Sequence, residues 1–359
     1  MKPKLLIQPK DIKPSFPEWK VISTINPAAI RRPDKKILLY VRVAEQTEKH
    51  TKGGVCPVIT SFDGLEVDEE KVATHKLKRK DKKILYLKDG TCRLMHISHL
   101  RKVVLDESGM KVLEIDDHPT FTGIINDSDY GVEDPRFTKI GNKYYMTYVG
   151  VSKNEGVSTY LAESDNLEKW NRKGLIFREQ NKDAILFPEK IDGEYVAFNR
   201  PESAFHFSKP GIWISYSPDL TYWGRGKNVS RPRANSTWEN ERIGSGCPPI
   251  KTKKGWLCIY HGVMDKKGKK TYSAGAMLLN LKHPKRIIAR SPSNKPLFKP
   301  DEKYEKKGYV SNVVFPTGIV PTLDGKDLLI YSGGADKVVT VRKIPLKKIL
   351  DSLETYNKE

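Results

Sequence analysis

The chain has 359 residues, 38% hydrophobic and 30% charged, with 16 Tyr, 11 Phe and 6 Trp. It is too long for one ordinary core and too apolar for disorder, so it specifies two domains or one architecture that grows by repetition. Lys and Arg number 64 against 44 Asp and Glu, a formal charge of +20, which suits nucleic acid or an anionic substrate.

The N-terminal stretch from Met1 to Trp19 starts basic but lacks an apolar segment of signal-peptide length, and no apolar run is long enough to span a bilayer. A cytoplasmic protein without membrane contact is expected. Cys56, Cys92, Cys247 and Cys258 are far apart, with no CxxC and no His at ligand spacing, so reduced thiols and no metal site are expected. The basic clusters 76–83, 266–270 and 303–307 alternate with apolar runs, without a zinc-finger, RRM or helix-turn-helix pattern. Most of this charge reads as solvated surface, and specific nucleic-acid binding is not expected.

In chain order, short β-branched and aromatic runs recur between Gly, Asp and Asn turns, and helical periodicity is scarce. One unit repeats: a Pro-containing strand, a polar turn, and a second strand ending in a small or polar residue. It opens at Asn26-Pro27, Asp134-Pro135, Phe187-Pro188, Cys247-Pro248-Pro249 and Phe315-Pro316. A second hairpin follows several copies, as in TYLAESDNLEKW, IWISYSPDLTYWG and YSAGAMLLNLKHPKRII. Four-stranded units of this kind predict an all-β fold, a five-bladed β-propeller forming a single domain over 1–359. The blades are expected at about 26–118, 134–175, 187–225, 248–292 and 315–345, between short terminal extensions. The spacing is too irregular for WD40 or kelch repeats. The long first interval predicts an insertion around 64–95, with a hairpin in KKILYLKDGTCRLM. The strand near 338–342 is expected to close the first blade, and PLKKILDSLETYNKE to form a short C-terminal helix.

Inner strands of a propeller converge on its axis. Their second members end at Arg42, Gly150, Arg200, His261 and Asp336, and three of these five carry or can carry positive charge. Taken singly, each reads equally well as a blade-packing residue; as a set they point to a site. Glu133-Asp134-Pro135-Arg136 opens the second blade. Such a tetrapeptide is ordinarily a capped turn with an ion pair, but at the start of an innermost strand Asp134 becomes a candidate general acid, its pKa raised by burial and by Glu133.

Seven ordered motifs, YGVEDPR (130–136), NKDAILFPEKI (181–191), NRP (199–201), SPDLTYWG (217–224), ERIGSGCPPI (241–250), GWLCIYHGV (255–263) and the NVVFPTG and IYSGGAD pair, resemble glycoside hydrolase family 130 from about Asn26 to Asp336. The resemblance implies a five-bladed propeller acting on β-mannosides, as an inverting phosphorylase or, in some branches, a hydrolase. It implies that Asp134 is the general acid, acting through the mannosyl 3-hydroxyl. It assigns phosphate to Arg200, Arg242, His261, Lys182 and Tyr272, and mannosyl contacts to Asn26, Arg42 and Asp336, with Glu133 beside them. Arg242 departs from the Lys of many members, as do Gly244-Ser245-Gly246 and the YSGGAD segment, which leaves the acceptor open. The segment Ser98-His99-Leu100-Arg101 also occurs in a branch with β-1,2-mannoside phosphorylases.

An inverting hydrolase needs a second carboxylate about 6.5–9.5 Å from the acid to activate water. A phosphorylase instead needs cations to hold its anionic nucleophile. The set Arg200, Arg242 and His261 favours phosphorolysis of a terminal β-mannoside to α-mannose 1-phosphate, and the resemblance of the 98–101 segment points to β-1,2 linkage. Phosphate is then a co-substrate, and no cofactor or metal is expected. The alternatives are an inverting β-mannosidase and a non-catalytic propeller that binds carbohydrate or nucleic acid. Tyr130, Phe205 and Tyr309 are candidates to stack on acceptor sugars, although most tyrosines here read as core. Linkage, chain length, direction of reaction and oligomeric state, a homo-oligomer included, stay open.

Overall fold

In a computed structural model, residues 2–202 and 207–356 are described. Five antiparallel sheets of four or more strands follow one another along them. The first holds Trp19–Arg31, Ile37–Thr47, Ile97–Leu105 and Val112–Ile115, and the second Val132–Ile140, Lys143–Ser152, Gly156–Ser164 and Asn171–Phe177. The third holds Asn181–Leu186, Tyr195–Pro201, Ile212–Ser217 and Gly224–Ser230. Arg242–Ser245, Gly255–Lys266, Lys269–Leu279 and Ile287–Arg290 form most of the fourth, and Val314–Pro321, Asp327–Gly334, Val338–Pro345 and Lys4–Ile7 the fifth.

Alternation along the strands explains why the sheets stack. On Lys143–Ser152, Tyr144, Met146 and Tyr148 pack with Leu38, Tyr40 and Leu100 of the first sheet. Tyr145, on the opposite face, packs with Ala184, Leu186 and Ala197 of the third. Further clusters join third to fourth sheet through Phe198 and Trp256, fourth to fifth through Ile259 and Ile330, and fifth back to first through Leu329 and Val41. Each sheet is therefore buried on both faces, which is why its strands read as continuous apolar runs rather than a strict alternation.

Three expectations need correction. Val338–Pro345 does not join the first sheet: it stays with its hairpin partner Asp327–Gly334, and Lys4–Ile7 covers its other edge. The tight turn between the partners, with Ala335 and Asp336 at φ 46° and 50°, makes local pairing the cheaper closure. The inserted segment is larger than 64–95. It forms a hairpin of Gly54–Ile59 with Val67–Val72 and a three-stranded sheet of Leu77–Lys80, Ile84–Leu87 and Cys92–Leu94, the last two strands being the expected hairpin. The prolines at 188, 248 and 249 do not mark strand starts equivalent to Pro27 and Pro135: Phe187-Pro188 follows the strand Asn181–Leu186, and Pro248-Pro249 falls between Arg242–Ser245 and Ile250–Thr252. The C-terminal helix is present but short, Leu346–Asp351, and the chain then adds Glu354–Thr355 to the fourth sheet.

The true structural repeat is a bulge. In the first strand of the first three sheets one extra residue interrupts the ladder, between Ile25 and Ala28, Glu133 and Arg136, and Lys182 and Ile185. Each bulge holds an Asn or Asp in the left-handed region, Asn26, Asp134 and Asp183, at φ 48°, 49° and 56°. Short polar side chains tolerate that backbone, and the bulge re-aims them.

Candidate active site

The bulged strands converge. Asn26, Arg42, Glu133, Asp134, Lys182, Arg200, Arg242, His261, Tyr272 and Asp336, the ten residues expected to serve catalysis, phosphate or the mannosyl group, line one cavity of about 200 Å³. Arg42, Arg200 and His261 occupy matching places, paired across the ladder with Ile25, Lys182 and Gly244. In the second sheet the matching residue is Val149, opposite Glu133, rather than Gly150, and it is Val149 that reaches the cavity. In the fifth sheet Asp336 comes from the turn after the strand.

Asp134 sits at the centre of one half. Asn26 Nδ2 donates to its Oδ1 at 2.8 Å and Arg42 Nη1 at 3.0 Å, while Arg42 Nη2 ion-pairs with Glu133. Ser98 Oγ accepts from Arg42 Nε at 3.2 Å, so the Ser98–Arg101 segment supports this guanidinium. Arg136 donates to the Asp134 carbonyl at 2.7 Å and to the Gly246 carbonyl at 2.6 Å, tying the bulge to the fourth sheet. The expected upward shift of the Asp134 pKa is not found. Burial raises it, but the Arg42 and Arg136 guanidinia and the Asn26 amide together hold it below the usual carboxylate range. Without substrate the group is ionised.

The other half is cationic. Arg200 is buried, with Nε on Asp183 Oδ2 at 2.6 Å and Nη1 ion-paired with Glu202, which also meets Arg242 Nη1 at 3.4 Å. The Arg200 guanidinium, with Arg136 and Lys182, overcomes burial and holds the Asp183 carboxyl well below the usual range. Burial and then Arg200 push the Lys182 ammonium down. His261 is not the cation that its position suggested. Its burial, against which Asp183 alone pulls upward, leaves a pKa of about 3 and a neutral ring. That ring lies 4.4 Å from Phe315 and 6.3 Å from Tyr272, and its Nδ1 has no partner among the described residues. Burial also raises the Tyr272 pKa, so its phenol stays protonated, a donor.

Sequence reasoning missed Asp183, Val149, Phe315 and Glu202. Asp183 stood inside the NKD motif and was obscured by the choice of Pro188 as the repeat anchor. Of the three acceptor-stacking candidates, Tyr130 is buried away from the cavity lining and Phe205 lies outside the described residues. Tyr309 donates to the Lys82 carbonyl at 2.7 Å, and Lys83 Nζ sits 4.5 Å over its ring. Lys83 Nζ is also 3.3 Å from Asp336 Oδ2, so the inserted sheet reaches the cavity wall.

Comparison with known proteins gives the family. The profile of the β-1,4-mannooligosaccharide phosphorylase family matches residues 101–355. The chain is 40% identical to a 1,2-β-oligomannan phosphorylase of Thermoanaerobacter sp. (strain X514) over 71% of this chain and 81% of the relative. It is 31% identical to the β-1,2-mannobiose phosphorylase of Listeria innocua over 98% and 97% of the two chains. The structure of a Listeria innocua β-1,2-mannobiose phosphorylase in complex with β-1,2-mannobiose superimposes with a TM-score of 0.86 over 97% of this chain and 96% of that one, at 31% identity. By sequence, fold and coverage, the chain belongs to glycoside hydrolase family 130.

Proposed function

We propose that the protein is an inverting β-mannoside phosphorylase that transfers the terminal mannosyl group of a β-1,2-linked manno-oligosaccharide to inorganic phosphate. The observation that carries this reading is the division of one cavity into a carboxylate half around Asp134 and a cationic half around Arg200, Arg242 and Lys182. The five sheets are read as blades of a propeller in a single domain, with the cavity where their bulged strands meet.

A phosphate oxygen attacks C1 of the mannosyl group, the glycosidic C1–O bond breaks, and the leaving oxygen takes its proton from Asp134 through the mannosyl 3-hydroxyl. The products are α-mannose 1-phosphate and the shortened acceptor. Asp134 is ionised in the free enzyme, so it takes up its proton from solvent as substrates bind: the phosphate charge raises its pKa within the cavity. Asn26, Arg42 and Asp336 hold the mannosyl hydroxyls. Phosphate is held by charge-assisted hydrogen bonds from Arg200 and Arg242, with Lys182 as a third cation and His261 and Tyr272 as neutral donors.

Hydrolysis is disfavoured because Asp183, the nearest buried carboxylate to the cations, is locked by Arg200 and depressed in pKa, a poor base for water. No helix among the described residues is long and apolar enough to cross a membrane. The four cysteines form no disulfide, which suits a cytoplasmic site of action. Incubation with β-1,2- and β-1,4-mannobiose, each with and without phosphate, tests the proposal by following mannose 1-phosphate with NMR. Release of mannose at full rate without phosphate refutes it.

A further inference from the structure

Arg200 and Arg242 come from different sheets, at the end of Tyr195–Pro201 and the start of Arg242–Ser245, yet one internal carboxylate bridges them. Glu202 Oε1 ion-pairs with Arg200 Nη1 and lies 3.4 Å from Arg242 Nη1. Its backbone N–H donates to the Gln180 carbonyl at 2.7 Å, which fixes the main chain but leaves the side chain to rotate. The two carboxylates beside Arg200 differ in access. Asp183 holds Nε and is 2% exposed, whereas the Glu202 side chain is 23% exposed over an Arg200 that is itself 4% exposed. Glu202 is thus the more solvent-accessible of the two carboxylates on Arg200.

Buried guanidinia without a counter-ion are costly. A phosphate gripping the same edge of Arg200 as Glu202 would press two anions together, which is costly in turn. We propose that Glu202 is the resident counter-anion of the Arg200–Arg242 pair, that phosphate displaces it on binding, and that it thereby sets the enzyme's phosphate affinity. The inference rests on the reading of these arginines as the phosphate site. Glu202 neutralises and orients the pair while the pocket is empty, then swings outward as a phosphate oxygen takes over its two contacts. The displaced carboxylate lowers affinity, so the enzyme holds phosphate less tightly than its arginines alone would. Asp183 cannot do this, because it is enclosed by Arg200, His261 and Lys182.

The sign of one substitution distinguishes this role from simple support. Phosphate binding is measured by calorimetry at fixed ionic strength for the wild type, Glu202→Gln and Arg200→Ala, with thermal melts to verify folding. Glu202→Gln keeps the shape and an oxygen acceptor but removes the competing charge, and phosphate Kd should fall about tenfold. The phosphate KM should fall with it, while the mannoside KM holds. Sulfate, with the same tetrahedral oxygens, should gain affinity in parallel. If Glu202→Gln does not fold, Glu202→Ala is read in the same way. Unchanged or weaker phosphate binding in the glutamate variant, with binding lost in Arg200→Ala, overturns the role of Glu202 alone. Unchanged binding in Arg200→Ala overturns the phosphate site itself.

Discussion

Gly244→Ala probes the cationic half of the cavity without replacing a charged group. Gly244 lies opposite His261 in the ladder, and an added Cβ would stand 2.1 Å from Asp183 Oδ2, 2.5 Å from His261 Cε1 and 2.9 Å from Arg200 Nε. All three are inside van der Waals contact, so Asp183 must retreat by roughly an ångström or more. It has little freedom, being set on a bulge at φ 56° and held 2.6 Å from Arg200 Nε. Relief therefore loosens the Asp183–Arg200 pair. Overpacking of this kind costs about 1–3 kcal/mol. The same disturbance of Arg200 should raise the phosphate KM by up to about 10- to 150-fold, since one charge-assisted contact is worth about 1.5–3 kcal/mol. The assay is a phosphate titration at saturating β-1,2-mannobiose, with thermal melts. Gly226→Ala, whose added Cβ would find its nearest neighbour at 3.7 Å, is the control. Wild-type phosphate dependence in Gly244→Ala refutes the argument that close backbone approach builds the anion pocket.

Asp134→Asn should lower kcat by about 10²- to 10⁴-fold with phosphate binding retained, because the amide keeps the contact to Arg42 but donates no catalytic proton; near wild-type turnover on an unactivated mannoside would remove the assignment. Arg200→Ala should raise the phosphate KM more than His261→Ala, since the imidazole is neutral and offers one donor; equal effects in steady-state titrations would count against a neutral His261. Lys83→Met should raise the mannoside KM several-fold by releasing Asp336, with Lys83→Arg restoring it and the phosphate KM unmoved; an unchanged mannoside KM would make this contact incidental. Three buried histidines should make stability acid-sensitive: burial drives His96 and His261 down to about 3 and His99 well below its usual range. Their folded pKa lies below the unfolded value of about 6.5, so their contribution is complete above pH 6.5 and is lost as pH falls toward 3, by about 1.4 kcal/mol per histidine per pH unit. Urea denaturation at pH 7.5, 6.5 and 5.5 measures this, and a flat profile would contradict the burial argument.

Strand pairs were legible because hairpins leave local marks, and Arg42, Arg200 and His261 because they fall at the same place in the first, third and fourth sheets, whereas Asn26, Lys182, Arg242 and Tyr272 were reached only through the family motifs. What was lost traces to bulges. A one-residue bulge changes the facing of every later side chain, so a count from prolines lands on Gly150 when the cavity receives Val149. Charge states were the other gap. Burial of Asp134 was inferable from its strand, but its contact with Arg42 joins residues 92 positions apart, and the shift reverses sign on that contact. His261 shows the opposite failure: a histidine among cations looks positive in sequence, and burial makes it neutral.

The bulge also explains how one backbone device yields three chemical roles. Asn26, Asp134 and Asp183 share a left-handed conformation at matching places, and what differs is the residue across the ladder from the position just before each. For Asp183 that residue is Arg200, so its charge is cancelled within its own sheet and it can only orient the arginine. For Asn26 it is Arg42, whose guanidinium turns away to the neighbouring sheet, and the neutral amide is left to donate to Asp134. For Asp134 it is Val149, which offers no cation. Its counter-charge is borrowed from Arg42, and Glu133 claims part of that charge. Of the two bulge carboxylates, Asp134 is therefore the one whose protonation an arriving phosphate and sugar can change without breaking a private ion pair, the property that a general acid requires.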